Sequence, residues 1–223
     1  MYGITLRVWG DAACFTRPEM KVERVTYDVM TPSAARGILD AIHWKPAIRW
    51  VIDDISVMKP IAFTNIRRNE VSDVIKEDNV KSRIKSTEKT GFAKPLYLDT
   101  QEKRQQRSTL YLKDVEYLIH AHFLLTDQAG SSDTVEKHYN IFLRRARKGQ
   151  CYHRPYFGCR EFPVNFELVE DSSSYQPISE SRDLGWMLYD IDFKHGTEPR
   201  FFRAQMVNGV VSIPKSLQDE VNV

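Results

Sequence analysis

From Tyr2 to Trp9 apolar and polar residues alternate, with Ile4, Leu6 and Val8 on one side, the period of a strand that buries one face. The pattern then changes to helical spacing. Thr31 and Pro32 form a helix start, because the threonine hydroxyl can accept an orphan amide hydrogen and proline suits the first helical position. Ala34, Ile38, Ala41 and Ile42 mark the apolar face, and Arg36 points elsewhere. Pro46 ends the helix, since the residue before a proline is pushed out of the α region. His43, Trp44 and Lys45 therefore stand at the helix exit. Ile48 to Val57 predicts a second strand, and strand character returns from Tyr111 to Leu125. Between them, residues 65–107 hold many charges and few large apolar side chains, which predicts a long, partly mobile basic insertion. Asp133 as N-cap, with Glu136 three residues later, predicts a helix to Lys148 that Gly149 stops. Val135, Tyr139, Phe142 and Ala146 are its buried stripe; Lys137, Arg144 and Lys148 lie on the other side. Segments Phe157–Leu168, Met187–Phe193 and Arg200–Val207 read as strands. The order through about residue 168 is β-α-β-β-α-β. That is an α+β, ferredoxin-like (RRM-like) domain over 1–168, whose open sheet often accommodates RNA, followed by a smaller β-rich unit over 169–223.

Composition changes this picture little, and charge changes it more. A chain of 223 residues with 42% hydrophobic content can build a real core. No apolar run approaches the roughly 18 residues a membrane span needs, and no basic-then-apolar leader opens the sequence, so a soluble cytoplasmic protein is expected. Cys14, Cys151 and Cys159 are odd in number and share no CxxC spacing, which favours reduced thiols over a disulfide framework. Net charge is only +2, but it is segregated. Residues 81–107 carry eight Lys/Arg against three acids, residues 133–148 five against two, and residues 161–193 one against eight. One electropositive and one electronegative region follow, and basic clusters near aromatics point to nucleic acid rather than to solvated faces alone.

The chain holds no phosphate-cradling GxxxxGKS, no GxGxxG, no HExxH and no GxSxG. No compact set of carboxylates reads as a two-metal nuclease site, and no cofactor is implied. Cys151, His153 and Cys159 lack a fourth ligand at finger-like spacing. The route open without metal is attack of an RNA 2′-hydroxyl on the adjacent phosphorus, giving a 2′,3′-cyclic phosphate and a 5′-hydroxyl. It needs a base, a cation for the phosphate and an acid for the leaving oxygen, and histidine serves either proton role near neutrality. His43 at one helix exit, with Lys137 and His138 in the opening turns of the other helix, match that demand. By residues alone, a helix-end histidine satisfying carbonyls and a solvent-facing helix start remain the alternatives. Phosphate contacts are expected from Arg67, Arg68, Arg104 and Arg107, further RNA contacts from Arg36, Lys45, Arg144 and Arg145, with Trp44 as a base-stacking candidate. His120 and His122, two apart on a strand, face the same way and read as a sheet-surface pair against RNA rather than as metal ligands. Arg160 reads either as an RNA contact or as an internal ion pair with Glu161.

Several stretches carry a family resemblance: VWGDAACFTRPEMKVER (Val8–Arg24), YDVMTPSAARGILDAIHWKP (Tyr27–Pro46), IRRNEV (Ile66–Val71), RQQR (Arg104–Arg107), AHF (Ala121–Phe123), the Lys137-His138 pair, GCREF (Gly158–Phe162) and DLGWMLYDIDF (Asp183–Phe193). Together, in order and across nearly the whole chain, they resemble the CRISPR-associated Cas-five family in its type I-C (Dvulg) subtype. The resemblance implies an RRM-like domain followed by a β-rich one. It also implies cleavage of CRISPR repeat RNA in the precursor transcript, with retention in a surveillance complex beside the Cas-seven backbone protein and the large subunit. Members that cleave RNA have a Tyr or His at the helix exit before TrpLysPro and a Lys-His pair in the second helix, here His43, Lys137 and His138. A non-catalytic RNA-binding scaffold and a general DNA-binding protein, with contacts to double-stranded DNA, are the rival readings.

Overall fold

A computed structural model describes residues 2–20, 22–93, 95–192 and 196–219, without the side chains of residues 218 and 219. Phe193, the predicted end of one strand, lies outside the described residues, as do Met1 and residues 220–223 at the ends of the two predicted domain ranges. The elements in chain order are β1 (Gly3–Ala13), β2 (Arg24–Val25), α1 (Pro32–Ile42), β3 (Ile48–Val57), β4 (Phe63–Val71), α2 (Glu77–Thr90), β5 (Arg104–Leu125), α3 (Val135–Arg147) and β6 (Asn165–Val169). After a short 3-10 turn come β7 (Arg182–Asp192), β8 (Glu198–Val207), β9 (Val210–Ser212) and α4 (Lys215–Asp219).

A mixed α/β architecture results, built on one large antiparallel sheet. Its main path runs β6-β1-β5-β3-β9-β8-β7, with β2 and β4 pairing with β5 off that path. In the register, Leu6 lies opposite Ile119, and Ile119 opposite Ile55, so three fully buried side chains cross the middle of the sheet on one face. Residues of the same parity, Ile4, Val8, Ala121 and Phe123, are also buried there. Helices α1 and α3 supply the matching apolar stripes: Ala35, Ile38, Leu39 and Ile42 from one, Phe142 and Ala146 from the other. Burying each of the leucine, isoleucine, valine and phenylalanine side chains among these stabilises by about 1.5–3 kcal/mol.

The local chemistry of α1 is as its sequence predicts. Thr31 Oγ1 accepts from the Ala34 amide, Pro32 occupies the first turn, and His43 is the C-cap in extended conformation. Helix α3 departs by one residue from the predicted capping. Thr134, not Asp133, is the N-cap, its hydroxyl accepting from the Lys137 amide at 3.2 Å. That frees the Asp133 carboxylate for side chains.

The chain separates into two compact units, residues 1–64 with 110–223, and Asn65–Thr109. The second contains regular structure where a partly mobile segment is predicted: most of β4, all of α2 and the start of β5. Its helix buries no side chain, which explains the missing apolar periodicity. Gly91, at φ 68°, closes α2 in the left-handed conformation.

Candidate active site

The exits and entrances of α1 and α3 meet at two histidines. His43 Nε2 and His138 Nδ1 are 3.0 Å apart, with ring planes 29° from parallel. Both side chains are buried, at 1% and 2% exposure. Local geometry fixes each partner. Trp50 Nε1 donates to the His43 carbonyl at 2.9 Å, pinning the helix exit to β3, and His138 packs edge-on against Phe123 of β5.

The outer nitrogens of the pair are also occupied. Arg145 Nη1 donates to the Ile42 carbonyl at 2.8 Å and lies 3.5 Å from His43 Nδ1. At the other end, His138 Nε2 is 3.2 Å from Asp133 Oδ1, which also accepts from Lys137 Nζ at 3.1 Å. A guanidinium carries only donors, so His43 Nδ1 must present its lone pair and the ring proton sits on Nε2. His138 Nδ1 then accepts, and its Nε2–H points at Asp133. The result is a directed chain, Arg145 to His43 to His138 to Asp133, in which both rings are neutral and satisfied. Burial, helped by the charges of Arg145 and Lys45, depresses His43 to about 4. Lys137 and the Gly130 amide hold the Asp133 carboxyl below its usual range, so it stays ionised at the rim.

The sequence-predicted residues divide sharply. His43, Lys137 and His138 come together from segments 95 residues apart. Trp44 and Lys45 are exposed beside them, and Arg144 is exposed on α3. Arg145, expected to contact RNA, instead turns inward to the histidine pair. Arg36 is engaged by Asp190 of β7 through both nitrogens, one contact at 2.8 Å, so its charge is spent inside the fold. Arg67, Arg68, Arg104 and Arg107 lie in the Asn65–Thr109 unit. Arg67 and Arg104 are exposed there, Arg68 donates to Thr109 at 3.3 Å, and Arg107 donates to Gln105. Arg160 is exposed, whereas its neighbour Glu161 pairs with Arg24 at 3.4 Å.

His120 and His122 share the sheet face opposite the helices, and each meets a carboxylate. A bulge in β3 between Ile52 and Asp54 gives that strand one extra residue. Asp53 lies 3.0 Å from His122 Nδ1, and Asp54 3.7 Å from His120 Nε2, with Thr5 on the other His120 nitrogen at 3.0 Å. Arg7 on the same face is bound by Glu116 and Glu167. Among the described residues no three His, Cys, Asp or Glu side chains converge as a metal-binding group, Cys151, His153 and Cys159 included. No helix among them is long and apolar enough to cross a membrane.

Sequence reasoning missed Asp133 as a ligand of the histidine pair and Arg145 as its other end. The signal available was helical spacing: Asp133 stands four residues before Lys137, and Arg145 seven residues, about two turns, after His138.

A family model described as CRISPR-associated protein (Cas_Cas5) matches residues 3–214. A protein of Mannheimia succiniciproducens named CRISPR pre-crRNA endoribonuclease Cas5d is 53% identical over 223 residues, covering 98% of this chain and 97% of that one. Among solved structures, a CRISPR-associated protein superposes with a TM-score of 0.69 at 24% identity, over 96% of this chain and 92% of its own. A chain of a CRISPR RNA-guided surveillance complex superposes with a TM-score of 0.51 at 15% identity, over 97% and 92%.

Proposed function

The chain belongs to the CRISPR-associated Cas5 family, and from that membership we propose that it is the endoribonuclease of a type I-C CRISPR system. It cuts the precursor transcript within the repeat and stays with the mature guide RNA in a surveillance complex, beside the Cas-seven backbone protein and the large subunit. The strand order β6-β1-β5-β3, with α1 and α3 packed together, supports reading the first 168 residues as a ferredoxin-like (RRM-like) domain.

The observation that carries the catalytic reading is the buried imidazole pair His43–His138 with Lys137 joined to it through Asp133. In the proposed reaction the 2′ oxygen forms a bond to phosphorus as the bond from phosphorus to the 5′ oxygen breaks. The 2′-hydroxyl loses a proton and the 5′ oxygen gains one. A neutral imidazole pair, with one N–H and one lone pair on each ring, can take the first and return the second. Lys137 supplies positive charge to the phosphate, and an incoming phosphate competes with Asp133 for it. No step calls for a metal ion. A second reading, a non-catalytic scaffold for the guide-RNA handle, is favoured by the burial of both imidazoles and the engagement of all four ring nitrogens.

Incubation with CRISPR repeat RNA in EDTA, followed by analysis of the ends, tests the mechanism. Cleavage persists in chelator, leaves a cyclic phosphate, and stops when the ribose 5′ of the scissile phosphate is replaced by 2′-deoxyribose. Loss of cutting on chelation with rescue by Mg²⁺ overturns it. Lys137→Ala lowers the rate by more than about tenfold (~1.4 kcal/mol), and His43→Ala or His138→Ala by about 10²–10⁴-fold, with much smaller losses of RNA affinity. Wild-type rates in all three variants overturn the site assignment; a wild-type protein that binds the repeat without cutting it leaves the scaffold.

A further inference from the structure

We propose that Tyr152, His153 and Tyr156, together with Trp44, form a stacking platform that holds unpaired bases of the RNA strand next to the histidine pair. The proposal rests on the reading of the chain as an RNA-cleaving protein. Tyr152 is 89% exposed and Trp44 59%, large aromatic surfaces that the core does not use. The rings follow one another along the chain: Tyr152 meets His153 edge to face, 6.1 Å between centroids and 75° between planes, and His153 faces Tyr156 at 6.4 Å with planes 28° apart, so the row offers ring faces in two orientations.

The row is fastened to the candidate active site. The Tyr152 amide donates to the carbonyl of Ala41, in the last turn of α1 and two residues before His43. Further along, Val164 donates to Pro155, Phe157 to Phe162, and Cys14 to Phe157, and Pro155 and Phe157 are buried. Exposed rings on a backbone tied at both ends are pre-organised, which lowers the entropy cost of taking a ligand. Tyr156 is also a wall of a cavity of about 230 Å³ with Phe15, Thr16, Ala34 and Gly37, so the row leads from solvent to a recess.

Charge selects the occupant. Residues 144–154 contain five Lys/Arg and no acid, and Arg144, Lys148 and Arg154 are exposed. Aromatic faces interleaved with cations are what single-stranded nucleic acid requires: bases stack on the rings while phosphates meet the charges. A duplex keeps its bases stacked internally and gains nothing from exposed rings, so the platform discriminates unpaired from paired RNA.

The test is binding, which does not depend on cleavage. The probe is an oligouridine strand carrying one 2-aminopurine, alone and annealed to oligoadenosine that has a uridine opposite the 2-aminopurine. Tyr152→Ala weakens affinity for the single strand by about 5- to 100-fold, relieves the quenching of 2-aminopurine, and leaves duplex affinity and the salt dependence unchanged. Tyr152→Phe keeps wild-type affinity and quenching. Lys148→Ala instead lowers the salt dependence for both probes. Unchanged single-strand binding by Tyr152→Ala, or equal losses for single strand and duplex, overturns the platform. If the wild type binds and quenches the probe yet fails to cut repeat RNA, the nuclease reading falls and the platform stands.

Discussion

His43 is held neutral from both directions, by loss of solvent and by the Arg145 guanidinium beside its Nδ1. Arg145→Gln removes the nearby charge, and the His43 pKa rises from about 4 toward its ordinary 6.5, a shift that NMR titration of the imidazole reads directly. An unmoved value means that burial alone holds the ring neutral. The same depressed pKa bears on stability. Between about pH 4 and 6.5 the unfolded chain binds the proton that folded His43 refuses, so stability rises with pH and is lost as pH falls through that window. Asp40 has the opposite sign: burial pushes its carboxyl up to about 6, so the folded chain holds the extra proton and stability falls as pH rises to that value. The two groups offset each other. Asp40→Asn therefore steepens the gain in stability from about pH 4 to pH 6, measured as the shift of the urea midpoint; an unchanged slope contradicts the assignment of one of the two groups.

At the level of elements, what the sequence conveyed was what neighbouring residues decide among themselves. Thr31, Pro32 and Pro46 fix the ends of α1 through bonds within a few residues, and those ends are where they were expected. The one-residue slip at α3 has the same origin: Asp133 and Thr134 are both good caps, and only His138 and Lys137, which claim the carboxylate, decide between them. Strand β9 was invisible because three residues, Val210–Ser212, hold their place by pairing with β3 more than 150 residues away. The histidine pair was visible as two separate candidates, and its contact was not, because hydrogen bonds across 95 residues leave no period in a sequence. Gly158, from the GCREF stretch, shows what such long contacts demand. It sits at φ 76°, and a Cβ there would lie 2.0 Å from the Cys14 carbonyl oxygen. Gly158→Ala must move backbone as well as adopt a strained conformation, so it destabilises by more than about 1 kcal/mol, read by thermal or urea unfolding.

Across the whole molecule the distribution of charge and burial separates roles. The sheet face opposite the helices carries Asp54, Glu116 and Glu167 among its basic groups, whereas the exit of α1 and helix α3 with the segment after it combine exposed cations, exposed rings and the buried imidazoles. The β5 strand also links two very different environments. From Tyr117 to His122 it is flanked by β1 on one side and β3 on the other, while Arg104 to Gln106 are exposed. A single strand so placed should not open as one piece. Its middle amides take up deuterium only when the sheet itself comes apart, whereas its first residues, along with all of α2, exchange through small local openings. Peptides resolved by mass spectrometry along β5 should therefore show a gradient of uptake over a few residues, steepest between Thr109 and Tyr117. A flat profile would make the strand one cooperative unit, stable along its entire length.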